Sequence, residues 1–363
     1  MTRQPRASAP AILGACLLGA GCTTVPRPSE FRDTMAAWPA GDHAAAVDGR
    51  ARFRQLFCGL VAEAGDERGA RNECGGLLWK LADEPAPEAA PATTSPLPDD
   101  LHVFVVSGAF ADCRREDTVP YDEAIAQLAA GGLKIQATMV SGRSSAARNA
   151  TELAEAIRAA KLGDRERIVL VGYSKGAVDS LQLLADYPDI AARVVAVVSV
   201  AGPIYGSPLA ATAEGWYRPF SDSFASVCDP GDGGVIASLV PDVRRQWLEA
   251  HPLPAHVRYY SIAAFPTRKH LARGLELSWQ LLAPLDTRND GQVLVGDAMI
   301  PGSTLLGYVN SDHWDVAIAV ERQMPFFSGR PDARHFPRVA LFDAILRYVG
   351  ETLGPAPATA AGR

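Results

Sequence analysis

Arg167-Ile168-Val169-Leu170-Val171-Gly172-Tyr173-Ser174-Lys175-Gly176-Ala177 joins an apolar run to a glycine-flanked serine and the start of a helical pattern. Four consecutive apolar residues run straight into Gly-x-Ser-x-Gly, and a helical apolar pattern follows over 175–186. Glycines two residues to either side let strand and helix approach closely, while the serine between them takes a strained backbone on a sharp strand-to-helix turn. The hydroxyl then projects at the carboxyl end of a sheet, where a histidine can remove its proton. The first amides of the following helix face the place where negative charge would develop. Gly-x-Ser-x-Gly alone is a weak signal, and an ordinary strand-helix turn would fit the same residues. The strand before it and the helix after it carry the reading.

Outward from this point, strand and helix patterns alternate. The spacing predicts strands over 101–106, 134–140, 168–171, 194–200 and 257–263. Helices are predicted over 120–130, 149–160, 175–186 and 339–349. Near-continuous apolar strands separated by amphipathic helices indicate an α/β architecture, a mostly parallel central sheet covered by helices on both faces. About 250 residues suffice for one such core, and no internal repeat interrupts it.

A serine hydroxyl is a poor nucleophile unaided, so the turn requires a histidine and an orienting carboxylate further on. Arg288-Asn289-Asp290-Gly291-Gln292-Val293 puts an aspartate at a turn, and Ser311-Asp312-His313-Trp314-Asp315 supplies a histidine after it. Asp286, Asp297, Asp312 and Asp315 are rival carboxylates, and Asp290 could be simply the turn residue of Asp-Gly. His313 competes with His335, with His43 and His102, and with His251, His256 and His270, which precede Asp290.

With these motifs the chain resembles the α/β-hydrolase superfamily, in particular bacterial lipases and esterases, over roughly residues 100–350. Their acid often lies in Asn-Asp-Gly and their histidine in a short His-x-Asp segment. Ser199-Val-Ala-Gly202-Pro203-Ile-Tyr-Gly206-Ser207-Pro208 is also similar to the lipase loop after the strand that follows the nucleophile. The resemblance implies Ser174 as nucleophile, His313 as general base and acid, and Asp290 as the group that orients His313. For the oxyanion it implies the amide of Lys175 and a second donor in Ser107-Gly108-Ala109-Phe110, where lipases usually carry His-Gly. This departure leaves Ala109 and Phe110 both open as donors. Lys175 is a second departure, since a cation opposes the dipole at a helix start; it faces either solvent or an acidic partner.

The reaction implied is hydrolysis of a carboxylic ester through an acyl-enzyme, with no cofactor and no metal. A small-molecule or lipid ester is the expected substrate, a hydrophobic acyl ester the preferred one. Residues 209–250 read as a cap insertion whose Trp216, Tyr217, Phe220 and Phe224 give an apolar surface and whose Asp229-Pro-Gly-Asp-Gly-Gly234 gives a flexible or sharply turned segment. Burial in a second core layer would explain the same aromatics. Thioesterase, peptidase and acyltransferase activities share the fold, and a non-catalytic envelope scaffold could keep the frame without the chemistry.

The amino end reads as an export signal over 1–21. Arg3 and Arg6 precede an apolar run from Ala7 to Ala20, too short for a permanent span, and Gly21-Cys22 follows. Cys22 resembles the lipidated cysteine of bacterial lipoproteins, although Gly19 stands where leucine is usual. Cys16, after Leu13-Gly14-Ala15, is a second match that would leave a very short apolar run, and a secreted protein cut nearby is the plainer alternative. Thr23 after the lipidated position implies sorting to the outer membrane, with the domain periplasmic or surface-facing and held by its N-terminal anchor.

Removing 1–21 deletes two arginines and takes the formal charge from −6 to −8. An acidic chain without basic tracts excludes nucleic acid as a partner class. Cys58, Cys74, Cys113 and Cys228 remain, an even number that in an exported chain favours disulfides. Residues 22–83 read as a helical unit, with Phe53, Leu56, Phe57, Leu60 and Val61 on one arm and Leu77, Leu78 and Leu81 on a second. Cys58 and Cys74 lie on opposite arms, and Cys113 is the candidate partner of Cys228. Residues 84–98 form a Pro/Ala-rich linker, 99–353 the α/β domain, and 354–363 a Pro/Ala-rich tail expected to be disordered.

Overall fold

The apolar stretch before Ser174 becomes an inner strand of a seven-stranded sheet. The computed structural model describes residues 47–64, 74–87, 98–114, 119–213, 229–319 and 336–353. In chain order these form β1 (Val47–Asp48), α1 (Arg50–Ala64), β2 (Leu101–Val106), α2 (Asp122–Ala130), β3 (Lys134–Thr138), α3 (Ala146–Ala159), β4 (Arg167–Tyr173) and α4 (Lys175–Asp186). There follow α5 (Pro188–Ala191), β5 (Val194–Val200), α6 (Pro208–Ala213), α7 (Pro241–Ala250), β6 (Arg258–Ala264), α8 (Glu276–Leu282), β7 (Thr304–Val309) and α9 (Arg338–Leu353). The sheet order is β1-β7-β6-β5-β4-β2-β3 and every pairing is parallel.

Alternation along each strand divides the core into two layers. Val169, Val171 and Tyr173 of β4 face a cluster built with Phe53 and Phe57 of α1 and Leu341, Phe342 and Ile345 of α9. Ile168 and Leu170 face the other, built with Leu153 and Ile157 of α3 and Leu181 and Leu184 of α4. A sheet buried on both sides explains why its strands read as unbroken apolar runs. The result is a parallel sheet covered by helices on both faces, the α/β architecture that the strand-helix alternation predicts.

Some elements differ from the expectation. The helix expected from 149 begins at Ala146, because the Ser145 hydroxyl accepts the Arg148 amide at 3.2 Å and caps it. Strand β7 escapes the sequence reading because Gly307 interrupts its short apolar run. The second arm of the N-terminal unit is not a helix. Leu77, Leu78 and Trp79 are consecutive and all buried, a pattern of extended chain covered on both faces rather than of a one-sided helix.

The second arm instead closes one edge of the sheet. Leu78 forms an antiparallel bridge to Val309, the Trp79 amide donates to the Tyr308 carbonyl at 2.9 Å, and the Trp79 indole donates to the Phe265 carbonyl at 2.7 Å. Together β1 and this segment pair along β7, which would otherwise expose unpaired backbone groups. Arg54 ties the segment to α1 by donating to the Leu78 and Trp79 carbonyls and pairing with Glu84. A Cys58–Cys74 disulfide, with Cα atoms 5.4 Å apart, joins α1 to the turn before it. Closing a loop of this size is worth about 3 kcal/mol in the chain-entropy model.

Cys113 is also disulfide-bonded, while its candidate partner Cys228 lies outside the described residues, as do 1–46 with Cys16, Cys22 and His43, and the tail 354–363. Within 209–250, Trp216, Tyr217, Phe220 and Phe224 likewise fall outside them. The described remainder is tightly docked. Asp232 accepts the Ser145 amide at 2.7 Å and the Ser145 hydroxyl at 2.5 Å, so the Gly-rich segment is sharply turned against the start of α3. Trp247 and Leu248 of α7 pack on the α3–α4 side of the sheet. Among the described residues no helix is long and apolar enough to cross a membrane.

Candidate active site

Ser174 sits at the junction of β4 and α4 with φ 53° and ψ −129°, a left-handed conformation that costs energy in a residue with a Cβ. Its neighbours make the turn sterically feasible. A Cβ on Gly172 would lie 2.4 Å from the Ala177 amide nitrogen, and one on Gly176 would lie 2.4 Å from the Val106 carbonyl oxygen. Either collision would force α4 off the sheet. Surrounding structure therefore holds the strained serine, with its amide donating to the Val200 carbonyl at 2.9 Å.

The Ser174 hydroxyl oxygen lies 2.8 Å from His313 Nε2, and His313 Nδ1 lies 2.7 Å from Asp290 Oδ2. The second Asp290 oxygen accepts the amides of Gln292 at 2.8 Å and Val293 at 2.7 Å, so the carboxylate is held from both sides. His313 is fixed by its own backbone as well. Its amide donates to the Asp290 carbonyl at 2.9 Å, and its carbonyl accepts the Tyr173 hydroxyl at 2.7 Å. His313 and Asp290 are almost wholly buried, and Ser174 retains 8% of its surface. This contact with Tyr173, the residue before Ser174, has no signature in the sequence.

The rival residues are engaged elsewhere. Asp286 pairs with Arg288, and Asp315 with Arg338. Asp312 accepts the amides of Ala272, Trp314 and Asp315 and thereby shapes the turn that presents His313. Asp297 lies in a short 3-10 turn, where burial pushes its carboxyl up to about 6. His102 stacks on Phe104, His251 contacts the Trp247 carbonyl, and His256 contacts the Ala191 carbonyl. His335 is outside the described residues.

The loop after β2 passes directly over the serine. A Cβ on Gly108 would stand 3.0 Å from the Ser174 Cβ, so glycine leaves the space beside that serine open. The Phe110 amide donates to the Gly142 carbonyl at 3.0 Å and is thus committed to the neighbouring loop. Among the described residues no such bond engages the amides of Ala109 or Lys175. Of the alternatives left open by Ser107-Gly108-Ala109-Phe110, the geometry leaves Ala109 with a free donor.

The Lys175 side chain is neither solvent-facing nor turned to a substrate. It is wholly buried, with Nζ 2.6 Å from Asp179 Oδ1, and Asp179 is equally buried. Asp179 Oδ2 accepts the Asn149 side-chain amide at 2.8 Å. Burial raises the Asp179 carboxyl above the ordinary carboxylate range, while Lys175, Asn149 and Arg244 oppose that shift. Arg244 is itself desolvated, which pulls its guanidinium down to about 10, and it donates to the Ile204 carbonyl at 3.1 Å. The residues linking α3, α4 and α7 beneath Ser174 are thus polar, and only the Lys175–Asp179 spacing of four is visible in sequence.

Comparison with known proteins adds to this geometry. The structure of a metagenomic carboxyl esterase, MGS0156, superposes with a TM-score of 0.75 and 40% sequence identity, over 86% of this chain and 95% of that one. The chain belongs to the α/β-hydrolase family. The Bacillus licheniformis lipase BlEst2 in its propeptide form shares this hydrolase's fold at a TM-score of 0.50 and 20% identity, over 66% of this chain and 54% of the lipase. No protein-family model and no curated protein sequence matches the hydrolase.

Proposed function

We propose that the protein is a serine hydrolase that cleaves carboxylic esters through an acyl-enzyme. The observation that carries this reading is the chain of contacts from Ser174 Oγ to His313 Nε2 and from His313 Nδ1 to Asp290, at 2.8 and 2.7 Å, mounted on a strained elbow. His313 Nε2 takes the hydroxyl proton as Ser174 Oγ attacks the ester carbonyl, and Asp290 stabilises the imidazolium that forms. The free amides of Lys175 and Ala109 are the donors available to the oxyanion. Collapse of the tetrahedral species breaks the bond to the alkoxy group, which leaves as alcohol with the proton from His313. Water then repeats the sequence on the acyl-serine and releases the acid. The kinship with a carboxyl esterase at 40% identity supports an ester as the group attacked.

We extend the reading to a hydrophobic acyl ester, supported by the aromatic content of 216–224, and to an outer-membrane lipoprotein anchored at Cys22, supported by the apolar run before it and Thr23 after it. Hydrolysis of p-nitrophenyl esters of increasing acyl length tests the reaction and the preference together. Turnover should rise with acyl length and vanish in Ser174→Ala, and wild-type rates in that variant would overturn the proposal. Partition into detergent should be lost in Cys22→Ala; unchanged partition would reject the anchor.

A further inference from the structure

The segment from Arg268 to Leu285 lies against the loops that carry Asp290 and His313. Its inner side is apolar and buried: Leu275 packs at Gly291, where a Cβ would stand 2.9 Å from the Leu275 Cβ, and Leu275 and Trp279 form a cluster joined by Trp314. The Ala272 amide donates to Asp312 Oδ2 at 2.6 Å, fixing the segment to the histidine turn. This face explains why the segment folds as it does.

The outer side lacks such an explanation. Leu277 and Leu281, one turn apart on α8, are 64% and 60% exposed, and Leu285 in the turn that follows is 63% exposed. They are half of the six exposed large apolar residues among those described, and they occupy one stretch. Single surface leucines are ordinary, but three exposed at four-residue intervals, 277, 281 and 285, concentrate apolar surface on one segment. At the amino end of the same segment Arg268, Lys269 and Arg273 are exposed, and none has an ion-pair partner among the described residues.

We propose that this face docks the enzyme onto an anionic phospholipid surface, with the three leucines entering the interfacial region and the three cations meeting lipid phosphates. The charge pattern selects this occupant. Leucines gain by leaving water for the acyl boundary, and unpaired cations earlier in the same exposed segment gain from an anionic leaflet, whereas a second copy of the chain would set like charge against like unless turned about. Docking would bring the segment packed against the Asp290 and His313 loops to the membrane plane. That purpose rests on the ester-hydrolase reading, but the binding itself does not require catalysis.

The test uses the full chain carrying Cys22→Ala and Ser174→Ala, so that neither an acyl anchor nor turnover contributes. Flotation is measured with vesicles of phosphatidylcholine alone and of phosphatidylcholine mixed with phosphatidylglycerol. Binding should favour the anionic vesicles, weaken with salt, and fall about tenfold or more when Leu277, Leu281 and Leu285 are changed to serine. Changing Arg268, Lys269 and Arg273 to glutamine should remove the preference for anionic lipid. An unchanged unfolding midpoint confirms that these exposed substitutions leave the fold intact. Binding unaltered by both sets, absence of binding by the parent, or a dimer in solution that the serine changes dissolve would each overturn the proposal. Absence of soluble-ester turnover in the protein that retains Ser174 would sink the hydrolase reading while leaving the docking result standing.

Discussion

Asp179→Leu offers a quantitative test of the buried network under Ser174. The substitution strands the Lys175 ammonium, which has no exposed surface, and removes a partner held at 2.6 Å. Breaking a buried pair from one side costs about 3–5 kcal/mol, and the Asn149 amide, which loses its acceptor, adds about 1 kcal/mol. In the double variant Lys175→Met with Asp179→Leu no charge is stranded, and stability should return to within about 1–2 kcal/mol of the parent. Urea unfolding of the four proteins at neutral pH closes the cycle. The sign of the pH dependence follows from the direction of the Asp179 shift. Its carboxyl binds a proton more tightly folded than unfolded, so its contribution is full below the unfolded value and is lost as pH rises through the folded one. The parent should therefore lose a component of stability from about pH 4 upward that the double variant lacks. A single variant as stable as the parent, or a double variant as damaged as the single, would refute the reasoning.

Asp290→Asn should lower kcat by about 10⁴ with little change in KM, because an amide cannot hold the required His313 tautomer; steady-state kinetics on a short ester checks this. Gly176→Ala drives a Cβ to 2.4 Å from the Val106 carbonyl and 2.6 Å from that of Ser107, both backbone atoms. It should cost about 1–3 kcal/mol by urea unfolding, and parental stability would show that the elbow is less tightly packed than described. Changing Cys58 and Cys74 together to alanine should cost about 3 kcal/mol under non-reducing conditions, and the difference from the parent should disappear in reductant.

Much of the frame was legible because burial on both faces imposes unbroken apolar runs. Strands β2 and β5 fall at the expected residues, 101–106 and 194–200. The serine, aspartate and histidine were legible because each sits in a turn with its own local signature. What escaped depends on contacts between distant segments. Nothing in Ser107-Gly108-Ala109-Phe110 reveals that the Phe110 amide is taken by Gly142, and nothing near Lys175 reveals that Asn149 completes the shell of its partner. The second N-terminal arm escaped because leucines at 77, 78 and 81 satisfy a helical spacing, whereas burial of Trp79 between them belongs to an edge segment seen only beside β7.

If Ser174 is a nucleophile activated by His313, an electrophilic phosphonate should capture it. The most direct measurement is mass-spectrometric mapping of the protein after reaction with a fluorophosphonate. One phosphonyl group is expected, placed on Ser174, with labelling slowed by orders of magnitude in His313→Ala. A folded protein that stays unmodified, or one that labels equally well as Ser174→Ala, would contradict it.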